Sequence, residues 1–161
     1  MSDVHGELNS AEEIVRGPAP VLRDVRFYKL SAELTETAPS DARPEKSEDP
    51  DDSETEEISV TVGLRTRQEG SALGIRIEFT ASQENWRVSL DVAAEFEAEE
   101  PFLSTAAGRT DFADKVGVMT LYPYIREAVG NLTQRTVGTS FILPTIQQGQ
   151  ITFADHEVES T

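Results

Sequence analysis

The sequence predicts an α+β fold: a four-stranded antiparallel sheet packed on one long amphipathic helix. Three observations carry that expectation. Between residues 58 and 97, apolar and polar side chains alternate with the period of two that a half-buried strand requires. The alternating runs are joined by short polar turns, Glu69-Gly70-Ser71 and Gln83-Glu84-Asn85, which make hairpins and therefore antiparallel neighbours. Further on, residues 120–135 place Leu121, Tyr122, Ile125, Ala128, Val129 and Leu132 on one side of a 3.6-residue period, with Arg126, Glu127, Asn131 and Gln134 opposite. A sheet with one greasy face and a helix with one greasy stripe are complementary surfaces.

Taken in order, residues 1–20 are acidic and end in Gly17-Pro18-Ala19-Pro20, which reads as a flexible or weakly helical leader and a stop. The first strand is expected over 21–34, with Tyr28, Leu30, Ala32 and Leu34 on one face and Lys29, Ser31 and Glu33 on the other. Arg26 and Phe27 break the alternation, which marks a bulge or an edge position. Residues 37–57 hold three prolines, many like charges and no large apolar side chain, so they are expected to be a mobile acidic connection. Asp49, Asp51 and Asp52 fall there without the glycine and glutamate spacing of a calcium loop, and read as solvated.

The remaining strands follow. Ile58, Val60, Val62 and Leu64 form one apolar row; Leu73, Ile75, Ile77 and Phe79 the next; Trp86, Val88, Leu90, Val92, Ala94 and Phe96 the last. Trp86 belongs to that row, so a core position is favoured over an exposed one. Asp111 is placed to cap a short helix. Pro123 is either a first-turn proline or, if the helix begins near Val118, a kink. Residues 136–149 are expected to be extended. Phe141, Ile142, Leu143 and Ile146 are more apolar surface than a loop normally shows, so they are either pinned under the fold or line a site. Residues 150–161 fade into an acidic tail.

At 161 residues and 37% hydrophobic content the chain supports one domain. A net charge of −16 argues against nucleic acid and anionic membranes as partners. There is no cysteine, hence no disulfide and no thiolate metal site. The first residues lack the basic and apolar blocks of a signal peptide, and no segment reaches the ~20 apolar residues of a membrane span, so a cytoplasmic protein is expected. The only histidines, His5 and His156, lie in segments expected to be mobile, which cannot hold catalytic geometry. No phosphate-binding glycine loop and no metal-ligand spacing is present, so neither an enzyme nor a cofactor is expected. Arg126 and Glu127 read as a helix-surface pair that stabilises neighbouring elements rather than as a recognition pair.

The segment Leu121-Tyr-Pro-Tyr-Ile-Arg-Glu-Ala-Val129, followed by Leu132, Arg135 and an apolar run to Pro144, resembles the main helix and crossover loop of the SecB-type export chaperones. The resemblance spans about Val21–Ile146 and assigns residues 21–149 to a SecB-like chaperone domain. It implies a homotetramer built as a dimer of dimers, and an ATP-independent holdase that keeps unfolded preproteins competent for export. By position it implies client-binding roles for Phe102, Leu103, Tyr122, Phe141, Ile142, Leu143 and Ile146. It also implies contacts of Glu33 and Asp91 with the export motor SecA. The chain departs from the family in four places: Lys29 stands where an aspartate is usual, Thr139 replaces the crossover loop's first proline, Pro144-Thr-Ile-Gln-Gln replaces its Pro-x-Asn-Phe ending, and no second helix follows Gly149. The Tyr-Pro-Tyr-Ile-Arg-Glu form and the missing helix resemble the SecB-like branch that serves as dedicated chaperones of an antitoxin. A small apolar-ligand carrier and a purely structural assembly subunit are the other classes the residues allow.

Overall fold

The computed structural model describes residues 6–35 and 58–147; the expected acidic connection at 37–57 and the acidic tail at 150–161 lie outside the described residues. The described residues form α1 (Ala11–Arg16), β1 (Val21–Leu34), β2 (Ser59–Glu69), β3 (Ala72–Gln83), β4 (Trp86–Glu97), α2 (Ala106–Phe112) and α3 (Val118–Val137), with a π-helical turn at Ala113–Gly117 joining the last two. The strands make one antiparallel sheet in the order β1-β4-β3-β2, so β1 and β2 are the two edges.

The central strands carry the core. Leu73, Ile75, Ile77, Phe79 and Ala81 of β3 and Trp86, Val88, Leu90, Val92, Ala94 and Phe96 of β4 are buried, as the alternation predicts. Each large aliphatic side chain so placed contributes about 1.5–3 kcal/mol relative to exposure. Trp86 is 3% exposed and its indole N–H donates to Gln83 Oε1 at 2.7 Å, so it is a core residue. Helix α3 covers β4 and β1 with Val118, Leu121, Ile125, Ala128, Val129 and Thr133. Tyr122 and Leu132, expected in that stripe, flank it half-buried.

Three expectations need correction. Tyr28 does not share a face with Leu30. The β1–β4 register shifts between Phe27 and Lys29, so Tyr28 is the extra residue of a bulge. It joins Lys29 on the outer face, where its ring lies under the Arg76 guanidinium at 4.4 Å. A period-two pattern cannot show where one residue drops out of register.

The acidic leader is partly built into the fold. Ser10 caps α1 by accepting from Glu13 N–H at 3.2 Å, and Ala11 and Ile14 are buried beneath it. Leu8, Ala11 and Ile14 recur every three residues, an apolar edge that the surrounding glutamates mask in a composition-based reading.

Asp111 does not cap the helix it lies in. Thr105 caps α2, its Oγ1 accepting from Gly108 N–H at 3.0 Å, while Asp111 accepts from Ala11 N–H at 2.8 Å and pairs with Lys115 at 2.9 Å. Burial of Asp111 raises its pKa, but the Ala11 and Lys115 hydrogen bonds prevail and hold its carboxyl below the usual carboxylate range.

Of the two readings of Pro123, the second holds: α3 begins at Val118 in a helical run that starts at Ala106, so the proline lies inside the helix and not in a first turn. Its ring is on the exposed side, where water can serve the Met119 carbonyl that loses a partner.

Candidate functional site

The crossover loop that leaves α3 is held by a run of hydrogen bonds. Gly138 ends the helix at φ +82°, a conformation that favours glycine, and its N–H donates to Gln134 O at 3.2 Å. The chain then runs back along the helix it has just left. Ser140 Oγ donates to Gly130 O at 3.0 Å, and Phe141 N–H donates to Thr133 Oγ1 at 2.7 Å. Arg126 Nε donates to Leu143 O at 2.8 Å, and the Tyr122 hydroxyl donates to Pro144 O. The anchors Gly130, Arg126 and Tyr122 are four residues apart, one helical turn each, so the loop is laced to a single face of α3. A Cβ at Gly130 would lie 3.1 Å from Ser140 Oγ, so the hydroxyl would have to give by a few tenths of an ångström.

The lacing fixes which apolar residues point inward. Leu143 is 5% exposed and belongs to the core. Phe141 is half-buried with its ring 5.6 Å from that of Trp86, and Ile146 also packs against the core. Ile142, between two inward neighbours, is 64% exposed. Beside it lies an open groove of about 540 Å³ lined by Pro123, Arg126, Gly130 and Ser140 as well as Ile142. The apolar excess is therefore divided residue by residue: Leu143 is pinned under the fold, whereas Ile142 faces out. Burial pushes the Tyr122 phenol above its ordinary range, partly offset by the Arg126 guanidinium. Arg126 clasps the loop, and Glu127 accepts instead from Asn131 Nδ2 at 2.8 Å.

Phe102 and Leu103 are elsewhere. Phe102 N–H donates to Gly70 O at 3.3 Å, at the turn between β2 and β3, while Phe141 sits against Trp86 at the opposite end of β4. The two contacts thus mark opposite ends of a strand about 35 Å long. Leu103 is 64% exposed beside an open depression of about 400 Å³, which Phe102, Gln68, Arg109 and Glu7 also line. Gln68 holds the wall, donating to Phe102 O at 2.6 Å and accepting from Ser104 N–H at 3.0 Å.

Glu33 and Asp91 both carry cationic partners on the outer sheet face. Asp91 takes a bidentate pair of bonds from Arg76, at 2.7 and 2.5 Å, and its side chain is only 15% exposed. The Arg76 hydrogen bonds, helped by Arg65 and Lys29 and opposed by burial, hold its carboxyl below the usual range. Glu33 faces Arg87 at 4.0 Å. Arg65–Glu78, Arg67–Glu95 and Arg23–Glu97 complete a set of cross-strand pairs, so acids on this face are interleaved with arginines.

With this geometry in hand, the comparisons with known proteins are decisive. The SecB-like chaperone SmegB of Mycolicibacterium smegmatis is 30% identical over 138 residues, which span 86% of this chain and 91% of that protein. The chain belongs to the SecB-like chaperone family. Its fold is shared with the Mycobacterium tuberculosis Rv1957 SecB-like chaperone, whose structure was solved in complex with a ChAD peptide from the Rv1956 HigA1 antitoxin. That match has a TM-score of 0.62 at 21% identity and covers 80% of this chain and 91% of the other. No protein-family model matches the chain.

Two features of this SecB-like chaperone's candidate surface are illegible in the sequence. Arg126 as the loop's clasp has no signal beyond its place in the helix motif. The pairing of Leu8 with Ser104, a parallel bridge between residues far apart in the chain, has none. No described helix is long and apolar enough to cross a membrane, and the described residues contain no cluster of three metal-ligating side chains.

Proposed function

We propose that this SecB-like chaperone is an ATP-independent holdase and not an enzyme, and that it grips unfolded polypeptide at two rigidly mounted apolar patches. The observation that carries the reading is the exposure of Ile142 and Leu103, each 64%, on backbone pinned by hydrogen bonds. With the backbone already held, only the side chains' own rotamer freedom remains to be lost when a client arrives. Phe141, Tyr122, Ile146 and Phe102 border them half-buried and widen the contact. The two patches lie far enough apart for one extended segment of about ten residues to bridge them. Both depressions are open, which suits a passing chain better than a compact apolar ligand. Clients bury apolar area at about 25 cal/mol per Å² over many weak contacts, which makes capture promiscuous and reversible.

Dedicated service to an antitoxin is the second reading, supported by the peptide-bound state of the Rv1957 structure. Docking to SecA through Glu33 and Asp91 has weaker support, because Asp91 is neutralised by Arg76 and faces Lys29 across the strand pair. Assembly as a homotetramer in the cytoplasm follows from the resemblance.

The test is suppression of aggregation of an unfolded client by substituted chains. Ile142→Asp and Leu103→Asp should each lower suppression several-fold while melting as the parent does. Leu143→Asp should instead unfold the protein, because it would bury an unpaired carboxylate. Full activity in the Ile142→Asp, Leu103→Asp double variant would refute the two-patch surface. Capture of SecA, of one antitoxin or of many nascent chains from the native cell separates the roles.

A further inference from the structure

Beside exposed Leu103, the backbone of the candidate client surface is already engaged. Leu8 N–H donates to Leu103 O and Leu8 O accepts from Thr105 N–H, both at 2.9 Å, the two-sided pattern of a residue added as a parallel strand. Thr105 Oγ1 reaches the same Leu8 carbonyl at 3.3 Å. Leu8 rests half-buried against the core, and Glu7 lines the depression that Leu103 and Arg109 share. This is how an extended peptide docks on a strand edge, main-chain bonds plus one apolar side chain, except that the peptide belongs to the chain itself.

We propose that Leu8 stands in for a client: the position beside Leu103–Thr105 is a subsite for an extended polypeptide segment bearing a large aliphatic side chain, and residues 6–9 fill it until a client displaces them. The inference rests on the reading of Leu103 as a client contact. Three features make the segment displaceable. Its pairing is one isolated bridge outside the sheet. It is joined to α1 by one side-chain bond, from Asn9 N–H to Glu13 Oε2 at 2.5 Å, whereas α1 is held on its own by fully buried Ile14, by Ala11 and by the Ala11 N–H bond to Asp111, so residues 6–9 can swing away at Ser10 once that bond opens while α1 stays docked. The fit beneath it depends on one glycine. A Cβ at Gly108 would lie 2.4 Å from Leu8 O and 3.1 Å from Asn9 C, both backbone atoms that cannot yield without moving the segment. The depression of about 400 Å³ alongside gives a client longer than the segment somewhere to continue.

A site occupied by its own chain lowers apparent affinity by the fraction of time it stands open. Freeing the site should therefore tighten binding. Gly108→Ala and Leu8→Pro, made separately in the full chain, release the segment by steric push and by loss of the donor N–H. Binding of dye-labelled, reduced and carboxymethylated lactalbumin is measured for both and for the parent. Each variant is expected to bind about tenfold more tightly. In the parent chain, hydrogen exchange should show the Leu8 amide losing protection when this client saturates the protein, while the Thr105 amide stays protected because the client supplies the acceptor. Unchanged or weaker binding in both variants, or a Leu8 amide still protected at saturation, overturns the inference and leaves the holdase reading standing. A folded parent that does not bind the client at all overturns the holdase reading and this inference with it.

Discussion

At the scale of single residues, the contrast between Asp91 and its fellow acids decides what the outer face can do. Unlike the other cross-strand carboxylates named above, Asp91 sits in a bidentate pair with an arginine, and the Tyr28 ring stacks on that arginine. Its folded-state pKa is depressed, so its contribution to stability is present above the ordinary carboxylate value and is lost as pH falls through the lower, folded value. Asp91→Asn should therefore cost about 1 kcal/mol near pH 7, a modest figure because the Arg76 side chain is 39% exposed. The difference from the parent should shrink at an acid pH below the ordinary carboxylate value. Urea midpoints of parent and variant at the two pH values check this; a penalty that persists in full in acid would show that the carboxylate's charge is not what matters. Residue-scale detail is also where the sequence was least readable. Alternation placed β3 and β4 correctly but could not reveal the dropped residue at Tyr28. It could not tell Ile142 from Leu143 either, since the loop's facing is set by Arg126 and Tyr122 reaching back to its carbonyls.

At the scale of elements, the helical run from Ala106 to Val137 is shaped by two interruptions, the π turn and Pro123. The π turn brings the helix close to β3: a Cβ at Gly117 would lie 2.5 Å from Ile75 Cδ1 and 3.0 Å from its Cγ2. Gly117→Ala sets two effects against each other. Alanine favours a helix over glycine by about 1 kcal/mol, but the branched Ile75 side chain, fully buried, has little freedom to retreat. Overpacking costs about 1–3 kcal/mol and should prevail. A net loss of stability, read from thermal melts, is expected, and Ile75→Val in the same chain should recover part of it. A Gly117→Ala chain more stable than the parent would show that the helix is not pressed onto the sheet there. The element inventory itself was largely legible, because strands and helix stripe carry strong periodicity. The elements read least sharply are those with short or masked patterns: α1, allowed only as a weakly helical leader, is six residues long in an acidic context, and α2, expected as a short helix capped by Asp111, instead begins at Ala106 in a Thr/Ala/Gly-rich stretch with little apolar rhythm.

At the scale of the whole molecule, charge and apolar surface divide the work of capture. The net charge of −16 is unevenly spread along the chain: residues 37–57 hold nine acidic side chains against two basic ones. The outer sheet face, by contrast, pairs its acids with arginines. The apolar patches have no preference for a client's sign, so any preference for basic chains should originate in the acidic stretch and act at long range. Such attraction governs encounter more than residence. Screening shortens its reach to about 10 Å at 0.1 M salt, whereas the apolar contacts that hold the client are barely weakened. For a basic unfolded client, the association rate should therefore fall as salt rises while the dissociation rate changes little. Converting the acidic residues of 37–57 to their amides should flatten the salt dependence of association and leave dissociation as it was. Stopped-flow anisotropy with a basic and an acidic unfolded client measures both rates. If the amide variant kept the parent's salt dependence, steering would have to arise from the folded surface, which its paired arginines argue against.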